Sequence, residues 1–201
     1  MHKKEINDLV ISWITISLAF SWVLSNFNIL DLVTGQSGGF ASFIEILPVS
    51  LIVTATGFIF HELAHRQMAK NFGAHAEYRM WPNMLLIAVA VSLFFGVVFA
   101  APGAVYIYGP HLDRKKNGLI SLAGPATNIL ISVIFAVLLI NVGGALSQLF
   151  FLGAYINLFL GLFNLLPMGP LDGKKIFVWN PLIWATFFVP ALFMFLFIRL
   201  I

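Results

Sequence analysis

"GFIFHELAHRQMAK", residues 57–70, places His61, Glu62 and His65 directly behind a greasy run, "ILPVSLIVTATGFIF". That run suits the interior of a bilayer, where ionisable side chains are costly and those that occur usually carry function. In a helix, positions i and i+4 share a face. His61 and His65 therefore present two imidazoles to one point, and Glu62 is placed to act as general base on a metal-activated water, the H-E-x-x-H arrangement. Zinc suits two imidazoles plus a third protein ligand and an open position.

The rest of the chain agrees with a membrane setting. Of 201 residues 60% are hydrophobic and 9% charged, against about 25% charged in an ordinary soluble domain. The fold class expected is an all-α polytopic membrane protein. A span needs about 20 mostly apolar residues. Six candidate helices meet or approach that length, at about 8–30, 43–72, 84–101, 118–141, 147–167 and 180–201. Between the third and fourth lies a Pro/Gly-rich stretch, "PGAVYIYGPHLDRKKNG", with a short extended or re-entrant segment near residues 102–110. Residues 84–101 either span fully, with the extended piece returning, or form a re-entrant loop. The segment 31–42 reads as a Gly-rich loop, and "MHKKEINDLV" opens a retained helix, with no small-residue cleavage site behind it. No Cys is present, which excludes disulfides and thiolate metal sites. The net charge of +3 is dispersed in short clusters, which gives no support to nucleic-acid binding.

Lys3/Lys4, Arg66/Lys70/Arg79, Arg114/Lys115/Lys116 and Lys174/Lys175 all fall on the cytoplasmic side if the positive-inside rule holds. The N-terminus is then cytoplasmic, and the histidines lie roughly 13 Å of helix inside that edge. A third ligand is sought on the same side. Asp172, in "NLFLGLFNLLPMGPLDGKK" (157–175), follows a Pro/Gly break that frees it from helical geometry. Glu77 and His75 are nearer in sequence but lie beyond Gly73, in what reads as a solvated turn. Asn157 and Asn164 share a face of the fifth helix. They suit interhelical hydrogen bonding, with Asn164, nearer the cytoplasmic end, also able to reach the metal site. Gly124, Pro125 and Asn128 in "SLAGPATNILIS" read as close helix packing.

"HELAH", "AGPATN" and "NLLPMGPLDG", in that order and in three membrane segments, resemble the site-2 protease family, and "PGAVYIY" looks like that family's extended segment near the active site. The resemblance covers about 43–175. It implies an intramembrane metalloprotease holding one Zn2+ through His61, His65 and Asp172, with Glu62 activating the water and Asn164 contacting the substrate or the developing oxyanion. It implies membrane protein substrates, cut within or near their transmembrane segments, and a multi-pass domain, 1–201, in the cell membrane. With no added soluble domain in view, this looks like a minimal membrane core. Three alternatives stay open. A metal transporter would use the same His/Asp cluster as a permeation site. In a membrane zinc protease of another kind, Glu77 would be the third ligand. An inactive relative would only bind proteins.

Overall fold

The computed structural model describes residues 1–25, 37–98, 102–109 and 112–198. They are mostly helical, and four helices are long and apolar enough to cross a membrane: Lys3–Leu24, Gly39–Asn71, Arg114–Asn141 and Gly144–Asn164. Leu86, Phe95, Leu130, Ile140 and Leu182 leave large apolar side chains bare on the outside. Apolar surface of that extent needs a non-aqueous neighbour, and the protein is a membrane protein. Its chain divides into two compact units.

The first unit contains residues 1–54 and 77–106. Helix α1 (Lys3–Leu24) packs against α2 (Ser37–Thr54) and α4 (Pro82–Phe95). Lipid tails offer no hydrophobic drive for helix pairing, so small polar residues make the joint. Buried Ser17 lies 2.5 Å from Thr54 Oγ1, Ser21 donates to the Phe43 carbonyl, and the Trp13 indole donates to the Leu51 carbonyl. At its start, α1 turns Glu5, Asp8 and Ser12 to one face, where strand β1 (His75–Met80) meets them. Tyr78 donates its backbone N–H to Glu5 and its hydroxyl to Ser12. Arg79 pairs with Glu77 and lies 3.7 Å from Asp8.

Strand β1 forms a two-stranded sheet with β2 (Gly103–Tyr108). The extended segment expected near 102–110 is therefore present over 103–108, while Pro110 lies outside the described residues. His75 and Glu77 belong to β1 and not to a solvated turn, and Glu77 is buried. Helix α4 starts with Pro82 at its first turn and stops at Gly96, in the left-handed region at φ 64°. Only a residue without Cβ adopts that geometry freely. At 14 residues it is about 21 Å long, short of a bilayer core of about 30 Å. The helix expected over 84–101 thus ends earlier, because Gly96 breaks it although apolar sequence continues. The first helix likewise ends at Leu24, and most of the loop at 31–42 lies outside the described residues.

The second unit contains residues 55–76 and 107–201. It begins with a π-turn, Ala55–Ile59, that leads into α3 (Phe60–Asn71). Helix α5 (Arg114–Asn141) starts on an Asp113 cap and runs unbroken through Pro125. A 3-10 turn at Gly144–Leu146 leads into α6 (Ser147–Asn164), and a seven-residue turn then leads into α7 (Asp172–Trp179) and α8 (Pro181–Phe197). Helix α5 is the scaffold, since α3, α6 and α7 all pack on it. Gly153 brings α6 against the Phe135 ring, and Ser132 donates to the Ala154 carbonyl 2.8 Å away. Ala154, Leu158, Leu165, Ile176, Ala191 and Ile198 form the apolar core beside them, and the Trp184 indole closes the turn by donating to the Leu165 carbonyl.

Candidate metal centre

All of the site's side chains come from this second unit. Helix α3 buries His61, Glu62 and His65 on one face, as the i, i+4 spacing requires. The two rings meet edge to face with centroids 4.6 Å apart and Nε2 atoms 2.9 Å apart. Asp172, the first residue of α7, reaches them from the other side. Its Oδ2 lies 3.0 Å from His65 Nε2 and 3.3 Å from His61 Nε2. The segment after α6 is broken by Pro167, Gly169 and Pro170, and the chain there folds back so that α7 begins against α5. Gly173 makes this possible, because any Cβ on it would run into the carbonyls of Leu165 and Leu166.

Each of the three residues offers one ligand atom, and these atoms lie within 4.8 Å of one another. Among the described residues this is the cluster able to hold a metal ion. Two imidazole nitrogens and a carboxylate oxygen suit zinc and leave a fourth position open. The site also has an emptied flank. A Cβ on Gly124 of α5 would lie 2.6 Å from His61 Nε2 and closer still to His65 Nε2. No residue but glycine leaves the donor atoms clear. The residues present therefore fit a resident zinc ion. Burial alone would raise the Asp172 carboxyl, but the His65 and His61 imidazoles beside it outweigh that and hold it well below the usual carboxylate range.

Glu62 is buried next to His61 and lies within electrostatic reach of His61, Asp172 and Lys175. Beside Leu171 and Lys175, which bracket Asp172, opens a cavity of about 320 Å³ with Arg114 and Lys174 on its rim. Glu77, the alternative carboxylate, is engaged by Arg79 and by His2 at 3.6 Å. Asn164 donates to the Leu160 carbonyl of its own helix.

Two further groups lie behind the imidazole rings, and the reading of "AGPATN" as packing did not include one of them. Asn128 is fully buried, and its Oδ1 lies 2.5 Å from His61 Nδ1. The Ile120 carbonyl lies 2.7 Å from His65 Nδ1. The available signal was the spacing of Gly124 and Asn128, four residues apart and hence on one helix face. Asn157 does join helices, as expected of it. It donates to Thr56 Oγ1 at 3.0 Å and accepts from Asn128 at 3.4 Å.

Residues 141–186 match peptidase family M50. A protein of Methanocaldococcus jannaschii named as a zinc metalloprotease is 41% identical over 192 residues, which cover 94% of this chain and 92% of that one. One of Bacillus subtilis, similarly named, is 31% identical over 151 residues, 66% of this chain and 69% of its own. A third, from Mycobacterium tuberculosis, is 30% identical over 175 residues, 84% of this chain but 38% of its own length. No solved structure matches the chain. With a relative of that identity aligned over nearly the whole of both chains, and residues 141–186 matching the family, the chain belongs to peptidase family M50, the site-2 proteases.

Proposed function

We propose that this chain is an intramembrane zinc metalloprotease: a single transmembrane domain that hydrolyses peptide bonds within or near the transmembrane segments of other membrane proteins. The observation that carries the reading is the convergence of His61, His65 and Asp172 from two separate helices onto one point. The family and the names of its relatives supply the reaction type. In this reading the three residues hold the zinc, and its bound form supplies Lewis acidity that activates water at neutral pH and polarises a carbonyl.

Glu62 is the general base. Its carboxylate takes one proton from the attacking water as the water oxygen bonds to the scissile carbonyl carbon. The carbon–nitrogen bond then breaks, and Glu62 returns that proton to the leaving nitrogen and is a carboxylate again. The products are a carboxylic acid, which loses its proton to solvent, and an amine. Asn164 contacts the substrate near the reacting carbonyl. The cavity lined by Arg114, Leu171, Lys174 and Lys175, next in sequence to Asp172, is the water route assigned in this reading. The substrate helix must unwind to be cut, which frees its backbone groups. Among the described residues β2 pairs only with β1 in a two-stranded sheet, and a substrate strand added to it would satisfy them.

The orientation proposed follows the basic clusters: about six membrane helices, N-terminus cytoplasmic, active site nearer the cytoplasmic face. Metal analysis of the purified protein, together with cleavage of a candidate membrane substrate by wild type and by Glu62→Gln, tests the proposal. Stoichiometric zinc with cleavage lost only in the variant is expected. Zinc flux into proteoliposomes without any cleavage would favour the transporter reading instead.

A further inference from the structure

Two buried asparagines, Asn128 on α5 and Asn157 on α6, and the half-buried Thr56 of the π-turn sit in apolar surroundings without taking part in the chemistry above. Burying such groups is costly unless each is satisfied. Here they form one connected set that ends on His61. Asn157 Nδ2 donates to the Gly153 carbonyl at 2.9 Å and to Thr56 Oγ1 at 3.0 Å. A carbonyl can only accept, so the amide of Asn157 cannot be reversed, and its Oδ1 must face Asn128. Asn128 Nδ2 meets that oxygen at 3.4 Å and the Gly57 carbonyl at 2.7 Å. Two acceptors thus fix Asn128 as well, with its nitrogen towards the π-turn and its oxygen towards His61. An asparagine amide read by its network is assigned in just this way.

The consequence reaches the ring. Asn128 Oδ1 lies 2.5 Å from His61 Nδ1, and an amide oxygen has no proton to give. His61 Nδ1 must therefore carry the hydrogen, which leaves the Nε2 lone pair for the metal. His65 meets the same condition through the Ile120 backbone carbonyl, which no substitution removes. The π-turn has a reason in this scheme. Widening the helix at Ala55–Ile59 turns the Gly57 carbonyl to an outside donor, and π-turns recur at functional sites for such purposes. Gly57 itself must stay small, since a Cβ there would lie 2.8 Å from Leu160 Cδ1.

We infer that Asn128 is a positioning residue for the metal centre: held by the π-turn carbonyl of Gly57 and by Asn157, it fixes the tautomer and tilt of His61. The inference rests on the metalloprotease reading for its metal, and its test separates the two. Zn2+ affinity of the purified full chain is measured by chelator competition, and the visible spectrum is recorded with Co2+ in place of zinc. Asn128→Leu keeps the bulk and removes both polar ends. Asn128→Asp keeps an oxygen facing His61. Outer-shell changes cost roughly 10–100-fold in metal affinity, so Asn128→Leu should lose about that much and shift the Co2+ spectrum. The carboxylate of Asn128→Asp cannot donate to the Gly57 carbonyl or to Asn157, so that variant should bind zinc more tightly than Asn128→Leu but more weakly than wild type. Wild-type affinity and spectrum in Asn128→Leu would overturn the inference. If that variant does not fold, Asn128→Asp decides alone, and wild-type affinity together with a wild-type Co2+ spectrum in it overturns the inference. A wild-type chain that binds no zinc would refute the metalloprotease reading, and the inference with it.

Discussion

Gly124→Ala adds one methyl group to the middle of α5, and the structure says where that carbon must go. It would lie 2.6 Å from His61 Nε2 and 2.7 Å from His61 Cε1, with His65 Nε2 nearer still, whereas ordinary contact begins near 3.4 Å. The His61 ring has to withdraw by about 0.8 Å and the His65 ring by more, or α5 must move as a body. Ligand distances in a working metal site hold to about 0.2 Å, so the displacement is several times what the centre tolerates. A misplacement of about 1 Å costs on the order of 10²-fold in rate. Glycine inside a helix is also about 1 kcal/mol worse than alanine, so helix propensity by itself favours the variant. Loss of function without loss of fold is the expected pattern: metal content well below one per chain by mass spectrometry, cleavage down by about 10²-fold or more, and a helical spectrum unchanged by circular dichroism. Full zinc occupancy and wild-type cleavage in Gly124→Ala would refute the placement of α5 against the two histidines.

Glu62→Gln should retain zinc and reduce proteolysis by about 10²–10⁴-fold, the usual worth of a general base; loss of zinc together with fold would give Glu62 a ligand or structural role. Asp172→Asn should weaken zinc binding by more than the roughly 10–100-fold of an outer-shell change, while Glu77→Gln, which disturbs contacts to Arg79 and His2, should leave zinc affinity and cleavage nearly intact. Gly118→Ala drives a carbon into the Trp179 ring, with Cβ of Trp179 2.6 Å away, and should cost about 1–3 kcal/mol by overpacking, read as a lower denaturation midpoint with metal affinity spared. Single cysteines placed at 36 and 115 of this Cys-free chain should label from opposite faces of the membrane; labelling from the same face would sink the proposed orientation.

That His61, His65 and Asp172 come together was legible in the sequence because it rests on local rules. The repeat of a helix puts His61 and His65 side by side wherever the helix goes, and Pro167, Gly169 and Pro170 announce that Asp172 is free of the preceding helix. What the sequence hides is whatever depends on a neighbour. The sequence "HAEYRM" reads as a polar turn until β2 is beside it and α1 brings Glu5 and Ser12 to its tyrosine. The end of α4 is masked by apolar residues that run on past Phe95, and only the left-handed Gly96 marks the stop. The π-turn has no composition of its own, because Ala55–Ile59 would suit an α-helix equally well.

Asn128 and Gly124 show the same limit most sharply. In one dimension an asparagine and a glycine in an apolar helix mean close packing, and close packing is what they produce. Their meaning changes with what is packed. Gly124 leaves a gap where two Nε2 atoms converge, and four residues on, Asn128 fills the space behind one of those rings with an oxygen held in a fixed direction. One face of α5 thus supplies, a turn apart, both the space at the donor atoms and the partner behind the ring. A helix with either residue alone would pack as well on α3. On the inference above, the pair at this spacing both clears the two Nε2 atoms and sets the proton of His61, which ties the packing of α5 on α3 to the chemistry of the site.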